Sequence, residues 1–437
     1  MPLEPIRNWN LVNAIQAALQ SIIPLNGPLK MAAILVSLTG CSFNGAPGRV
    51  FDAGVSDAPA DAGSVDSFPC AAFEYGNDPT VIVGQDDDLA AALLVAADGA
   101  IIEVSGTHII SAKITNKADN LIIRGKSGSR PIITIAENIN GLRLEGSGVS
   151  LFNLEFRGGK RQLEIRSVNS IRSMKALVYD VIFRKPTERG ILIRDSDDSV
   201  ILCSQFVAPA GSCPNNRGVE VRDSNKFRAA KNLFSGFDCD DNAIGISVRN
   251  STDPFIERNR FDGFAYAMRV GISTQEDPEP CDPSGQNGDV NGGILCNNLM
   301  IGRSETRPAR GILFLQACAI TVVHNTVYGL SNKPRAFQIH ESNSLVIAAN
   351  NLSNGIVDLS KGMVDSHYQG SNQYNAPDTS FADAPAGKLT PVANFTQMGN
   401  DISELANLVG KCDLDFEGRV RSLSSPQFVG AYEVPAL

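Results

Sequence analysis

The sequence predicts an all-β fold, a single-stranded right-handed parallel β-helix (a solenoid of stacked coils) with a short N-terminal capping helix. Three observations carry the prediction. A pattern recurs about every 27 residues, apolar residues alternate inside each repeat, and a polar residue, often Asn, returns two places before an apolar one. Repeats of this length, each too small to bury an apolar face alone, are the signature of stacked architectures.

The Asn pattern reads Asn232-Leu-Phe234, Asn259-Arg-Phe261, Asn298-Leu-Met300, Asn325-Thr-Val327 and Asn350-Asn-Leu352, with looser versions ending at Phe156, Phe183 and Phe206. From Phe156 to Leu352 the successive gaps are 27, 23, 28, 27, 39, 27 and 25 residues. The gap of 39 holds the polar run Thr274 to Gly293, which reads as a loop inserted into one coil. A stack in this register puts Phe234, Phe261, Met300 and Val327 in one internal column. The Asn residues suit an amide ladder between coils and suit local turn chemistry equally well.

A second phrase runs in the same register: Gly190-Ile-Leu-Ile-Arg-Asp-Ser, Gly218-Val-Glu-Val-Arg-Asp-Ser, Gly245-Ile-Ser-Val-Arg-Asn-Ser and Ala336-Phe-Gln-Ile-His-Glu-Ser. Alternation with a period of two marks a strand with one buried face. Intervals of 3.6 residues, which leucine-rich or helical arrays require, are missing. At the front, Asp86-Asp-Asp-Leu-Ala-Ala-Ala-Leu-Leu-Val-Ala-Ala, followed by Gly99, has the acidic start and glycine stop of a short helix.

The chain divides into residues 1–41, a signal segment; 42–77, a flexible linker; and 78–437, the β-helix with a C-terminal cap. The linker is rich in Asp, Ala, Gly, Ser and Pro and has little to bury. Around Lys30 a short apolar run leads to Leu38-Thr39-Gly40-Cys41. That ending resembles the lipobox of bacterial lipoproteins. The resemblance implies an exported protein lipidated at Cys41 and held to a membrane through that anchor alone, on the cell surface or the periplasmic face. Setting Cys41 aside leaves eight cysteines, an even number that fits disulfides in an oxidising compartment. Cys281 and Cys296 bracket the inserted stretch and form the best local pair; buried free thiols are the alternative.

The run Asp98-Gly-Ala-Ile-Ile-Glu-Val104 with Gly106, the preceding short helix, and the closing segments Asp415-Phe-Glu-Gly-Arg-Val-Arg and Gly430-Ala-Tyr-Glu resemble pectin-lyase-like right-handed parallel β-helices. In that family the outer face of the sheet carrying the second phrase is the floor of a saccharide cleft. The resemblance implies a fold; the activities on it are diverse. Lyase motifs of the family find no match. Arg307-Pro-Ala-Arg310 stands alone, and no catalytic residue is carried over.

Aligning the second phrase sets Arg166, Arg194, Arg222 and Arg249 at one outward position of consecutive coils, with His340 at the equivalent place later and Arg269 two positions earlier in its coil. Guanidinium groups bind planar anions in a bidentate manner, so the strip suits uronate or sulfate groups. Coils lie about 4.8 Å apart, where two cations in water repel by roughly 0.9 kcal/mol. Glu164, Glu220, Asp195 and Asp223 can balance that charge, so a neutral salt ladder competes with a polyanion cleft. Sequence neighbours suggest the ladder for Arg222, beside Glu220 and Asp223, and the cleft for Arg249, beside Ser247 and Asn250.

Asp238, Asp240 and Asp241 follow the Phe234 strand on a turn and could hold Ca²⁺ or a catalytic acid; a solvated acidic turn is the commoner explanation of such a cluster. Glu276, Asp277, Glu279, Asp282 and Asp289 of the inserted stretch offer the same chemistry. The four histidines (His108, His324, His340 and His367) show no zinc spacing. A net charge of −9 argues against nucleic acid as a partner. Two functions fit. One is a surface-anchored protein that binds polysaccharide or a surface glycan, with lyase or hydrolase activity on acidic glycans in view. The other is a non-catalytic adhesin or structural β-helix lipoprotein.

Overall fold

A computed structural model describes residues 70, 76–167, 175–209, 215–240, 242–272, 281, 288–303, 309–329, 334–339 and 345–358, with shorter pieces up to 431. The chain forms two compact units, residues 1–61 with 74–77 and residues 62–73 with 78–437. The second unit holds the solenoid. Cys41 and the proposed signal segment lie outside the described residues, as do His340, His367, Asp241 and Arg307. Among the described residues no helix is long and apolar enough to cross a membrane.

Each coil visits three parallel sheets in turn, here called A, B and C, of twelve, ten and ten strands. Strands pair with their equivalents one coil earlier and later, as Ile201 pairs with Val178 and Ala229 in sheet A. The passage from sheet A to sheet B is made by a single residue in the left-handed region: Asp180 (φ 52°), Lys231 (φ 55°), Asn297 (φ 56°) and Asn350 (φ 54°) occupy this bend in their coils. One such residue turns the chain sharply without using a loop, which keeps the coils short.

The inward residues stack as the repeat predicts. Phe156, Phe183, Phe206, Phe234 and Phe261 are direct partners in sheet B, with successive ring centroids 5.4, 5.0, 4.7 and 4.7 Å apart. Met300 and Val327 continue the column. The register differs in the last coil: Ser353, not Leu352, faces Val327.

The Asn residues form an amide ladder. Asn232 Nδ2 donates to Asn259 Oδ1 (2.9 Å), Asn259 to Asn298 (3.0 Å), Asn298 to Asn325 (2.9 Å) and Asn325 to Asn351 (3.1 Å). The rung in that coil is therefore Asn351, which donates on to Asn372 Oδ1 (2.8 Å), while Asn350 supplies the bend. All these side chains are buried, where an amide without partners is costly; the repeat satisfies each one with its own copy.

The helix Leu89–Val95 covers the open N-terminal end. Asp88 caps its start by accepting the Ala91 N–H, and Asn116 closes its end by donating to Leu93 O and Ala96 O. Leu89 and Leu93 point into the core.

The cysteine expectation is corrected. Cys281 bonds Cys318 and Cys296 bonds Cys412, so the local pair Cys281–Cys296 does not form. Cys70 bonds Cys203, and Cys239 is also in a disulfide. The free-thiol alternative fails for these seven. A solenoid brings together residues one coil apart, and Cys318 lies 37 residues after Cys281. Cys296 faces outward from sheet A instead, into an apolar patch with Ile294, Val323 and Ala349 that Cys412 joins.

Candidate functional site

The outer face of sheet C is built from the strands Arg161–Arg166, Arg189–Arg194, Arg217–Arg222, Ile244–Arg249 and Tyr266–Val270. Their inward positions are aliphatic, as at Ile191, Ile193, Val219 and Val221. Arg166, Arg194, Arg222 and Arg249 are direct register partners at the strand ends. Arg269 partners Ser247, two positions before the place of Arg249.

Sequence reasoning missed a second arginine row. Arg161, Arg189 and Arg217 are partners at the strand starts and reach the same outer face. Alternation counted back from Ile191 would point Arg189 inward. The chain breaks step at the next residue, where a Cβ on Gly190 would lie 2.7 Å from Gly218 O and 3.0 Å from the Phe206 ring. Gly218 is equally enclosed, by Gly245 O and the Phe234 ring. The coil of Arg161 has Gln162 at this place, so the outward turn belongs to the corner itself, and glycine is needed only where the Phe206 and Phe234 rings crowd it.

Between the rows lies Glu220, fully buried. It accepts from Arg222 (2.6 Å) and Arg249 (2.9 Å), and also pairs with Arg189 and Arg217. Burial would raise its carboxyl, but Arg217, Arg189, Arg222 and Arg249 together hold it below the usual carboxylate value. The expectation that Arg249 is free of the ladder is thus overturned: its counter-charge comes from the neighbouring coil. The guanidiniums are strained in the opposite sense. Burial pushes Arg217 down to about 10, with Glu220 opposing and Arg269, Arg189 and Arg249 adding to the shift. Arg249 and Arg269 are lowered too, chiefly by burial.

Counter-charge is uneven along the face. Arg143 pairs with Glu145 (2.5 Å), and Arg161 (2.8 Å) and Arg166 (4.0 Å) share Glu164. Arg194 lies 3.4 Å from Asp195 and 3.3 Å from Asp223. In the central coils, four guanidiniums (Arg189, Arg217, Arg222 and Arg249) pair with two carboxylates, Glu220 and Glu188, and a fifth, Arg269, has no ion pair among the described residues. Asp289 stands near Arg249 but is engaged by the Asn250 N–H (3.0 Å); burial raises its carboxyl.

The acidic turn is less organised. Asp240 accepts the Asn242 N–H at 2.9 Å, and Asp238 packs beside Gly263. Among the described residues no group of three or more His, Cys, Asp or Glu is placed to hold a metal ion; Asp241, the third member of the turn, lies outside them. Of the inserted stretch, Glu276, Asp277, Glu279 and Asp282 lie outside the described residues. His324 is buried at the bend before Asn325 (φ 56°) and faces away from sheet C's outer strip.

The family model described as a right-handed beta helix region matches residues 166–353. The crystal structure of pectate lyase Pel9A aligns with a TM-score of 0.51 at 14% identity, covering 82% of this chain and 97% of that one. The chain is a right-handed parallel β-helix. Right-handed crossovers are what parallel strands overwhelmingly use. Less similar solved β-helices include an alginate lyase from Paenibacillus sp. str. FPU-7 (TM-score 0.47, 14% identity, 68% of this chain and 99% of that chain) and a rhamnogalacturonan lyase (TM-score 0.38, 14% identity, 71% and 91%). At these identities the likeness is one of fold. No curated protein matches the β-helix by sequence.

Proposed function

We propose that the outer face of sheet C binds an acidic polysaccharide, on a domain exported and anchored to a bacterial membrane through lipidated Cys41. The observation that carries the reading is the central charge imbalance: four guanidiniums share only Glu220 and Glu188, and Arg269 beside them has no ion pair among the described residues. A purely structural ladder would be expected to neutralise itself, as the Arg143–Glu145 flank does. A polymer with one acidic group per sugar supplies the missing charge along the strand-stacking direction. The pectate lyase that shares the fold is named for such a polymer.

Affinity electrophoresis against polygalacturonate, alginate and neutral dextran tests the binding. The acidic polymers should retard the protein and dextran should not, with retardation weakening as salt rises. Arg249→Gln should reduce retardation severalfold and Arg143→Gln should leave it unchanged. Absence of retardation by any acidic polymer overturns the reading in favour of a structural or adhesive β-helix, which the paired flank favours. Ultraviolet absorbance of unsaturated uronates, followed on the same polymers, separates a lyase from a binder. For the anchor, Cys41→Ser should move the protein from the detergent phase to the aqueous phase, and unchanged partitioning would remove it.

A further inference from the structure

Arg269 differs from the other arginines of the central coils. Its strand places it between Ser247 of the preceding coil and Leu313 of the next. Among the described residues no carboxylate pairs with it, and its Nε and Nη2 are enclosed without a hydrogen-bond acceptor. Those two atoms are the donors along one edge of the guanidinium, the edge that grips a carboxylate or sulfate through two parallel hydrogen bonds. The hydroxyl of Ser247, fully buried, also lacks a partner. Three polar groups on adjacent strands are thus left unsatisfied side by side, whereas other arginines of the face, such as Arg217, leave only Nε without a partner.

We infer that Arg269 and Ser247 form a discrete oxyanion site that receives a single carboxylate or sulfate group, an inference that rests on the acidic-glycan reading for the source of that group. The surroundings suit a sugar acid. At the strand end the position matching Arg249 is Gly271, which adds no side chain of its own there. At the strand start is Tyr266, whose hydroxyl accepts from Arg310 Nη1 at 2.6 Å and whose ring carries that guanidinium 4.7 Å from its centroid. Tyr266 is thereby fixed as a partly exposed platform beside the anion. Arg269 is half-buried overall while its Nε and Nη2 are enclosed, so binding requires the side chain to turn its donor edge outward to meet the anion. Burial, and then Arg249, make the charged form of Arg269 harder to hold, while Glu220 favours it. An anion on the free edge relieves both penalties.

The test uses the full chain, with galacturonate monosaccharide, inorganic sulfate and glucose as probes in thermal-shift and calorimetric titrations. Galacturonate or sulfate should raise the unfolding midpoint saturably, and glucose should not; a preference of about tenfold or more for one anion identifies the source. Arg269→Gln should abolish the saturable shift. Arg269→Lys keeps the charge but loses the fork, so it should lose the shift as well. Ser247→Ala should weaken it severalfold, and it carries the test if the Arg269 variants fail to fold. A wild-type response retained in Arg269→Lys, or no saturable response in the wild type, overturns the site. Acidic polymer retained equally by wild type and Arg269→Gln sinks the site and spares the broader surface. A saturable anion response without polymer retention does the reverse.

Discussion

The two ends of the arginine face solve the same electrostatic problem differently. On the coil of Arg161–Arg166, Glu164 serves Arg161 and Arg166 of its own strand. Two coils further along, Glu220 serves Arg217 and Arg222 of its own strand and Arg189 and Arg249 from the strands on either side. Glu164 closes a local account within six residues, whereas Glu220 ties three coils together and still leaves cations in surplus. Two carboxylates at equivalent positions of equivalent strands therefore have different roles: one balances a strand, the other clamps a stack.

The clamp should give the largest effect. Glu220→Gln leaves four guanidiniums facing one another around a buried site and should cost about 3–5 kcal/mol, the usual range for breaking a buried pair. Glu164→Gln should cost about 1–2 kcal/mol, in line with lost hydrogen bonds to charged groups. Urea denaturation of the two variants checks this, and equal losses would erase the distinction between clamp and local pair. The acid limb sharpens it. Because the folded-state carboxyl of Glu220 is lowered, its stabilisation is complete above the ordinary carboxylate range and is lost as pH falls through the lowered value. Melting curves of Glu220→Gln should be flatter than wild type in that acidic window.

An intermediate effect is expected at the two arginines that share Glu220 Oε1. Arg222→Ala and Arg249→Ala should destabilise by similar amounts, about 1–2 kcal/mol, since both donate to the same oxygen. Unequal losses, with Arg249→Ala neutral, would restore the reading in which sequence neighbours choose the partner. The smallest effect belongs to Arg166, which reaches Glu164 only at 4.0 Å. Arg166→Ala should shift stability by less than about 0.5 kcal/mol, and a larger shift would show that the flank is also a clamp.

Much of this was legible from residues alone. Alternating Ile and Val fix which side chains enter the core, and the Asn spacing places the bend, so the Phe156-to-Phe261 column and the alignment of Arg166, Arg194, Arg222 and Arg249 follow from the repeat. The choice between an amide ladder and local turn chemistry was not legible, because both need Asn at the same place; the coil separation decided for the ladder.

The sequence by itself determined what recurs, because a solenoid places the same position of every coil at the same place, and a repeat can be counted without seeing it. The tertiary structure alone decided what meets across coils. It turned Arg189 and Arg217 outward at a corner where Gly190 and Gly218 are tightly enclosed. It drew Arg249 to a carboxylate on the next strand, joined Cys281 to Cys318, and left Arg269 beside Ser247 with one guanidinium edge unused. Each of these depends on distances between neighbouring strands, which are short in space and 22 to 37 residues apart along the chain, where local sequence reading has no purchase.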